Sequence, residues 1–168
     1  HNIYGLEDYY RERIMKAEKS INMVTPYFLP PRWLIAMLDN AISRGVEVNI
    51  ILPKKTDLSL VNRVNYLYVK KMNGMGINFY SYKRMNHAKV LLIDDKEVLI
   101  GSQNLDFLSF RVNAESGVFI SDKSLVKDLV KLISNWKNDS KYFDVYNSRI
   151  GILDRIILVF IRFFYSIL

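Results

Sequence analysis

The chain of 168 residues has no cysteine, so it forms no disulfide and offers no thiolate to a metal. It has only two histidines, His1 and His87, and no run of clustered carboxylates. A dedicated transition-metal or hard-cation site is therefore not expected, nor is any cofactor. Glycine and proline are sparse, at 7 and 4, and no low-complexity stretch or repeat interrupts the chain. Half the residues are hydrophobic and 13% are aromatic, which excludes a disordered chain and gives one domain a real core. The chain opens with His1 rather than Met, shows no signal peptide, and reads as a piece of a longer protein.

Acids are missing where bases collect. Between Lys54 and Arg84 there are seven basic residues and one acid, Asp57, a net of +6 within a chain of net +7. That segment leads directly into His87. A positive field there draws an anionic substrate, lipid or nucleic acid alike.

The segment Asn86-His87-Ala88-Lys89-Val90-Leu91-Leu92-Ile93-Asp94 is followed by Gly101-Ser102-Gln103-Asn104. Ala88 to Ile93 reads as a buried strand. His87 and Lys89 are two apart and so share one face of an extended chain. Asp94-Asp95-Lys96 forms a turn, and Glu97 to Ile100 is the returning strand. The hairpin carries Ser102 and Asn104 back beside His87 and Lys89. Such a group suits a phosphodiester: a neutral imidazole attacks phosphorus while an ammonium, a hydroxyl and an amide hold the phosphoryl oxygens. Asp94 counts among the catalytic candidates by its place in the pattern, although its position past the strand suits pinning the turn better than touching substrate.

The rest alternates. Leu6–Lys19 is helical, Ile21–Thr25 a strand, Arg32–Ser43 a helix stopped by Gly45, and Val46–Leu52 a strand. Asp57 is placed to cap a helix running to about Asn73. Ile77–Tyr82 and Asn113–Ile120 are strands, and Asp122 caps a last helix to about Asp139. The expected fold is α/β, a mixed β-sheet flanked by helices on both faces. Residues 1–146 form the domain and 147–168 a separate amphipathic tail. On a helical wheel, Asp154, Arg155, Arg162, Tyr165 and Ser166 fall within an arc of about 120°. The other face is Ile, Leu, Val and Phe. The uninterrupted apolar run falls far short of the ~20 residues of a spanning helix. The tail is read as an in-plane interfacial helix. Docking on the protein is the plainer alternative.

The pattern H-x-K-(x)4-D-(x)6-G-S-x-N resembles the signature of the phospholipase D superfamily. Further blocks resemble the C-terminal half of bacterial cardiolipin synthases. They are Thr25-Pro26-Tyr27-Phe28-Leu29-Pro30, Leu52-Pro53 with Asp57, Asn104-Leu105-Asp106, and Asn113-Ala114-Glu115. The resemblance implies a phospholipase D-like catalytic domain and phosphatidyl transfer between phosphatidylglycerol molecules, through a phosphohistidine and without metal. It implies a second motif, from a missing N-terminal half or from a homodimer, and a Glu115 that hydrogen-bonds a site histidine. It also implies location at the bacterial inner membrane, with nucleic acid disfavoured as a partner. The alternative is a phosphodiesterase or nuclease of the same superfamily acting as a homodimer. One departure stands out: Leu108 occupies a position where the family usually has arginine.

Overall fold

The motif hairpin is the centre of the sheet's antiparallel half. In the computed structural model, which describes residues 5–144 and then 151, 152, 154, 156, 157 and 159, strands β5 (Val90–Ile93) and β6 (Glu97–Gly101) pair antiparallel. Asp94 and Asp95 turn between them with φ of 53° and 55°. Both are in the left-handed region, which aspartate tolerates, as the two central residues of the turn from Ile93 to Lys96. Lys96 N–H closes the turn on the Ile93 carbonyl at 2.9 Å.

The parallel half is built from strand–helix–strand steps. In chain order the preceding elements are α1 (Gly5–Lys16), β1 (Ser20–Val24), β2 (Phe28–Leu29), α2 (Arg32–Ser43), β3 (Glu47–Pro53), α3 (Ser59–Lys71) and β4 (Asn78–Tyr82). After the hairpin come β7 (Leu105–Asp106), α4 (Phe107–Arg111), β8 (Gly117–Ile120), α5 (Lys123–Asn138) and β9 (Ser140–Tyr142). The seven-stranded sheet has the order β8-β6-β5-β1-β3-β4-β9. β1, β3 and β4 are parallel, and β1 meets β5 antiparallel, so the sheet is mixed.

Both faces are covered, as expected. Ile21, Met23, Val48, Ile50 and Leu52 pack against Tyr10 and Ile14 of α1, Leu34 and Leu38 of α2, and Val64 and Tyr68 of α3. Their alternate neighbours Val24, Ile51, Leu92 and Val98 pack with Val126 and Ile133 of α5. This is the period-two division of a strand buried on both sides. α5 leaves β8 at one edge and enters β9 at the other, so it crosses the whole sheet. α2 has the expected bounds, and Gly45 ends it with φ of 86°. Asp122 caps α5 by accepting from Ser124 N–H at 3.1 Å and Leu125 N–H at 3.0 Å.

Three expectations are corrected. Asp57 does not cap α3: the N-cap is Leu58, with no side-chain cap bond, and the Asp57 carboxylate accepts from the Tyr27 hydroxyl at 2.8 Å. Asn113–Ile120 is not one strand, since β8 begins only at Gly117. Ahead of it, Asp106 accepts from Ser109 N–H at 2.8 Å and starts α4. In the tail, Asp154 does not face solvent: it is buried in an ion pair with Arg63 of α3. The boundary expected after residue 146 and most of 147–168, including Arg155, Arg162, Tyr165 and Ser166, lie outside the described residues. Among the described residues, no helix is long and apolar enough to cross a membrane.

Asp94 binds the hairpin to the rest of the sheet. Its carboxylate accepts from the backbone N–H of Glu18 (3.0 Å), Lys19 (2.7 Å) and Ser20 (2.9 Å), at the entry to β1. Burial alone would raise its pKa, but these three donors hold it below the usual aspartate value. The stabilisation is therefore present above the unfolded-state pKa and is lost as pH falls through the lower folded-state value. Asp94→Ala is expected to cost about 1–3 kcal/mol at neutral pH. Urea melts should show that difference shrinking in acid.

Candidate active site

His87 and Lys89 enter the site on the last residues before β5. The chain there is extended, so both side chains lie on one side and meet. Lys89 Nζ is 2.8 Å from His87 Nδ1, 3.3 Å from Nε2 and 2.9 Å from the His87 carbonyl oxygen. An ammonium has no acceptor, so a ring nitrogen it bonds must present a lone pair. That is the neutral imidazole a nucleophile needs. His87 is exposed, whereas Lys89 is only 7% exposed. Burial pushes the Lys89 pKa down, and the charges of Glu115, Asp57 and Asp106 work against that shift.

The returning strand brings the second motif block alongside. Gly101 N–H donates to the Lys89 carbonyl at 3.1 Å, and Ser102 N–H to Ser116 O at 2.9 Å. Only glycine fits at 101: a Cβ there would lie 2.0 Å from Gln103 Oε1 and 2.5 Å from the Ser116 carbonyl. Ser102 Oγ donates to Glu115 Oε2 in a very short bond and accepts from Ser116 N–H at 3.0 Å. Asn104 N–H donates to Ser109 Oγ at 3.0 Å, and the Asn104 side chain bonds the Asp106 carboxyl. Burial raises the Asp106 pKa against those hydrogen bonds.

His87, Lys89, Ser102 and Glu115 are thus gathered at one end of the sheet by the hairpin and the β6–β8 pairing. Two of the candidate residues bond elsewhere than the His87 ring. Asp94 lies seven residues from His87, roughly 20 Å of extended chain, and all its bonds described above are to the backbone before and within β1. Glu115 bonds Ser102 and, through Oε1, Asn113 Nδ2 at 3.4 Å; its observed partners do not include the His87 ring.

Tyr27, Asp57 and Asp106 join the site without having been singled out for it. The Tyr27 ring stands edge-on to His87, centroids 6.0 Å apart, while its hydroxyl bonds Asp57. That bond, more than burial, holds the phenol above its usual pKa. Asn65 fixes the Tyr27 loop, donating to Pro26 O at 2.8 Å and accepting from Phe28 N–H at 2.8 Å. β2 and β7 pair in parallel and tie that loop to Asn104-Leu105-Asp106. The available signal was the family-like blocks around Tyr27 and Asp57. Leu108 is 49% exposed on α4, and the cation of that helix is Arg111, 2.8 Å from buried Glu7 on α1. Among the described residues, no group of three or more His, Cys, Asp or Glu could hold a metal ion.

The fold and this cluster define a phospholipase D-like domain. A crystal structure of a phospholipase D family member, Nuc from Salmonella typhimurium, superposes with a TM-score of 0.69 at 22% identity, over 82% of this chain and 90% of that one. Phosphatidylserine synthase from Haemophilus influenzae gives 0.72 at 18% identity, over 94% of this chain and 42% of that one. The family described as "Cardiolipin synthase, PLD-like domain" matches residues 10–136, and the chain belongs to it. Cardiolipin synthase 1 of Staphylococcus epidermidis is 36% identical over 151 residues, 88% of this chain and 31% of that protein. A probable cardiolipin synthase of Bacillus subtilis is 33% identical over 166 residues, 98% of this chain and 33% of its own length. The chain spans about a third of the length of these curated relatives.

Lys89 carries a stability prediction with a defined sign. The fold disfavours its charged form, so the cost is fully present below its lowered folded-state pKa. It is relieved as pH rises toward the ordinary lysine value. Lys89→Met is expected to melt at or above the wild-type temperature near neutral pH, with the gap narrowing in alkali. A marked loss of stability at neutral pH would contradict the buried-ammonium reading.

Proposed function

We propose that the chain supplies one of two motifs to a bacterial cardiolipin synthase site that transfers a phosphatidyl group between phosphatidylglycerol molecules. The observation that carries this reading is the contact of Lys89 Nζ with the His87 ring, with Ser102, Glu115, Asn104 and Asp106 built around the pair. Family membership and the names of its relatives support the substrate assignment. They lend no support to the nuclease alternative.

In the proposed reaction a ring nitrogen of His87 attacks the phosphorus of one phosphatidylglycerol. The bond from phosphorus to the headgroup glycerol oxygen breaks. The departing alkoxide takes a proton from a second histidine and leaves as glycerol. A hydroxyl of another phosphatidylglycerol then gives its proton back to that histidine and attacks phosphorus, releasing His87 and forming cardiolipin. One phosphodiester replaces another, so no outside energy source is needed. Lys89, Ser102 and Asn104 donate to the phosphoryl oxygens as charge builds on them. Glu115 orients an imidazole. Asp94 acts by holding the hairpin, and no step requires a metal or cofactor.

The second histidine comes from an N-terminal half or from a symmetric copy. One imidazole cannot be both bonded to phosphorus and protonating the alkoxide in the same step. The enzyme works at the inner membrane, where its substrates reside.

Three measurements test this. With phosphate-labelled phosphatidylglycerol, the enzyme bearing both motifs should trap an acid-labile label on the protein. His87→Ala should abolish turnover without unfolding the chain, and Lys89→Met should lower it by about 10²–10³. Normal transfer by a folded His87→Ala enzyme would sink the assignment. The isolated 168-residue chain should be inactive as a monomer, as judged by turnover at concentrations where ultracentrifugation finds one species.

A further inference from the structure

Two loops leave the sheet at the end where His87 stands, and they share a composition. The first, between β3 and α3, reads Lys54-Lys55-Thr56-Asp57-Leu58, and α3 then opens with Ser59-Leu60. The second, between β4 and His87, reads Lys83-Arg84-Met85-Asn86. Pro53 pairs with Tyr82, and Lys54 N–H donates to Tyr82 O at 2.7 Å, so the loops lie side by side. Lys54, Lys55, Lys83 and Arg84 are all exposed. Among the described residues Lys83 alone of the four has an ion pair, with Asp139 at 3.0 Å. The one acid in the loops, Asp57, is bonded to Tyr27.

Apolar side chains project between these cations. Leu58 is 51% exposed, Leu60 64% and Met85 44%. Scattered exposed leucines need no explanation. Three large apolar tips on adjacent segments, interleaved with four cations, form a patch of mixed character that does. The surface continues beyond the loops. Leu60 and Arg63 are three apart on α3 and share a face, and Arg63 holds Asp154. On the segment so anchored, Ile152, Ile156 and Val159 are 79%, 55% and 67% exposed.

We propose that this face docks on an anionic lipid bilayer. Leu58, Leu60 and Met85 enter the boundary between headgroups and acyl chains, while Lys54, Lys55 and Arg84 lie among the lipid phosphates. The inference rests on the lipid-transfer reading and adds the surface that delivers the lipid. His87 is exposed and only two residues past Met85, so docking holds its ring near the depth of the phosphodiesters. A lipid then reaches the nucleophile without leaving the bilayer. The first loop is linked to the same ring through Asp57 and Tyr27, which couples the docked loops to the site. Nucleic acid would also match the charge, but a phosphate backbone offers no apolar phase to the three projecting side chains.

The absence of native cysteine makes a direct test possible in the full chain. Leu60→Cys is labelled with an environment-sensitive fluorophore. Lys96→Cys, on the exposed turn at the far end of the hairpin, is the control. Vesicles of equal parts phosphatidylglycerol and phosphatidylcholine should shift the Leu60 label to the blue and leave the Lys96 label unchanged. Phosphatidylcholine alone should shift neither strongly. The triple change Lys54→Gln, Lys55→Gln, Arg84→Gln should weaken vesicle binding by about a hundredfold at low salt. Replacing Leu58, Leu60 and Met85 together by serine should leave weak binding that salt abolishes.

The proposal is overturned by equal shifts at both labels or by no shift at Leu60. It is also overturned by a Leu60 label already buried without vesicles, or by a response to a single-stranded oligonucleotide but not to vesicles. Transfer between dispersed short-chain lipids, measured on the enzyme with both motifs, separates the two ideas. Transfer there without any Leu60 response removes the docking surface and leaves the reaction standing.

Discussion

Everything at the site depends on the register of one hairpin, and that register is fixed by a carboxylate remote from the chemistry. Asp94 accepts three backbone N–H groups at the entry to β1 while its own left-handed φ makes the turn. Strand side chains alternate, so a slip of one residue would exchange the two faces of β5 and β6. Leu91 and Leu99, in the core with α1 to α3, would then swap with Leu92 and Val98, in the core with α5. Gly101 would lose the place where it meets the Lys89 carbonyl. The aspartate of the motif thus belongs to the candidate site through geometry: it aligns the two blocks that hold the candidate groups.

The site places charge where the fold disfavours it. Lys89 is nearly buried at the start of a strand of four apolar residues, and its ammonium is tolerated because it has hydrogen-bond acceptors and acids nearby. Under the proposed reaction the same burial strengthens its pull on a phosphoryl oxygen, because fewer waters screen it. The sheet behind it is packed on both faces, so under the proposed reaction the ammonium is in position before substrate arrives.

What could be read from the sequence divides along a physical line. Signals within one element were legible. These were the alternation of β5 and β6, the helix Arg32–Ser43 ended by Gly45, the Asp122 cap, and the strand–helix order that gives a mixed sheet covered on both faces. Pairings between distant segments were not. β2 and β7 are two residues each, too short for any periodicity, and they join residues 28–29 to 105–106. Asp57 has the local look of a cap, but a tyrosine thirty residues earlier takes its carboxylate. Asp154 sits on the polar arc of its wheel, yet Arg63, 91 residues earlier in the chain, buries it. In each case the polar group was recognised and its partner was not, because the partner is set by topology.

Each donor proposed for the phosphate is occupied by a neighbour in this same chain. Lys89 is spent on His87, Ser102 on Glu115, and Asn104 on Asp106. A phosphodiester is anionic, and charge-assisted bonds to it are stronger than an ammonium's bond to a neutral ring. Under the proposed reaction its arrival therefore draws Lys89 and Ser102 away from their present partners. His87 is left with a free lone pair for attack. Glu115 is left as a carboxylate without its hydroxyl donor, in a site only partly open to water. It then needs a new donor, and the N–H of an imidazole supplied by the second motif has the right charge sense when that ring gains a proton. The bonds that Lys89 and Ser102 make within this chain are thus the pair that must open for a second half to complete the site.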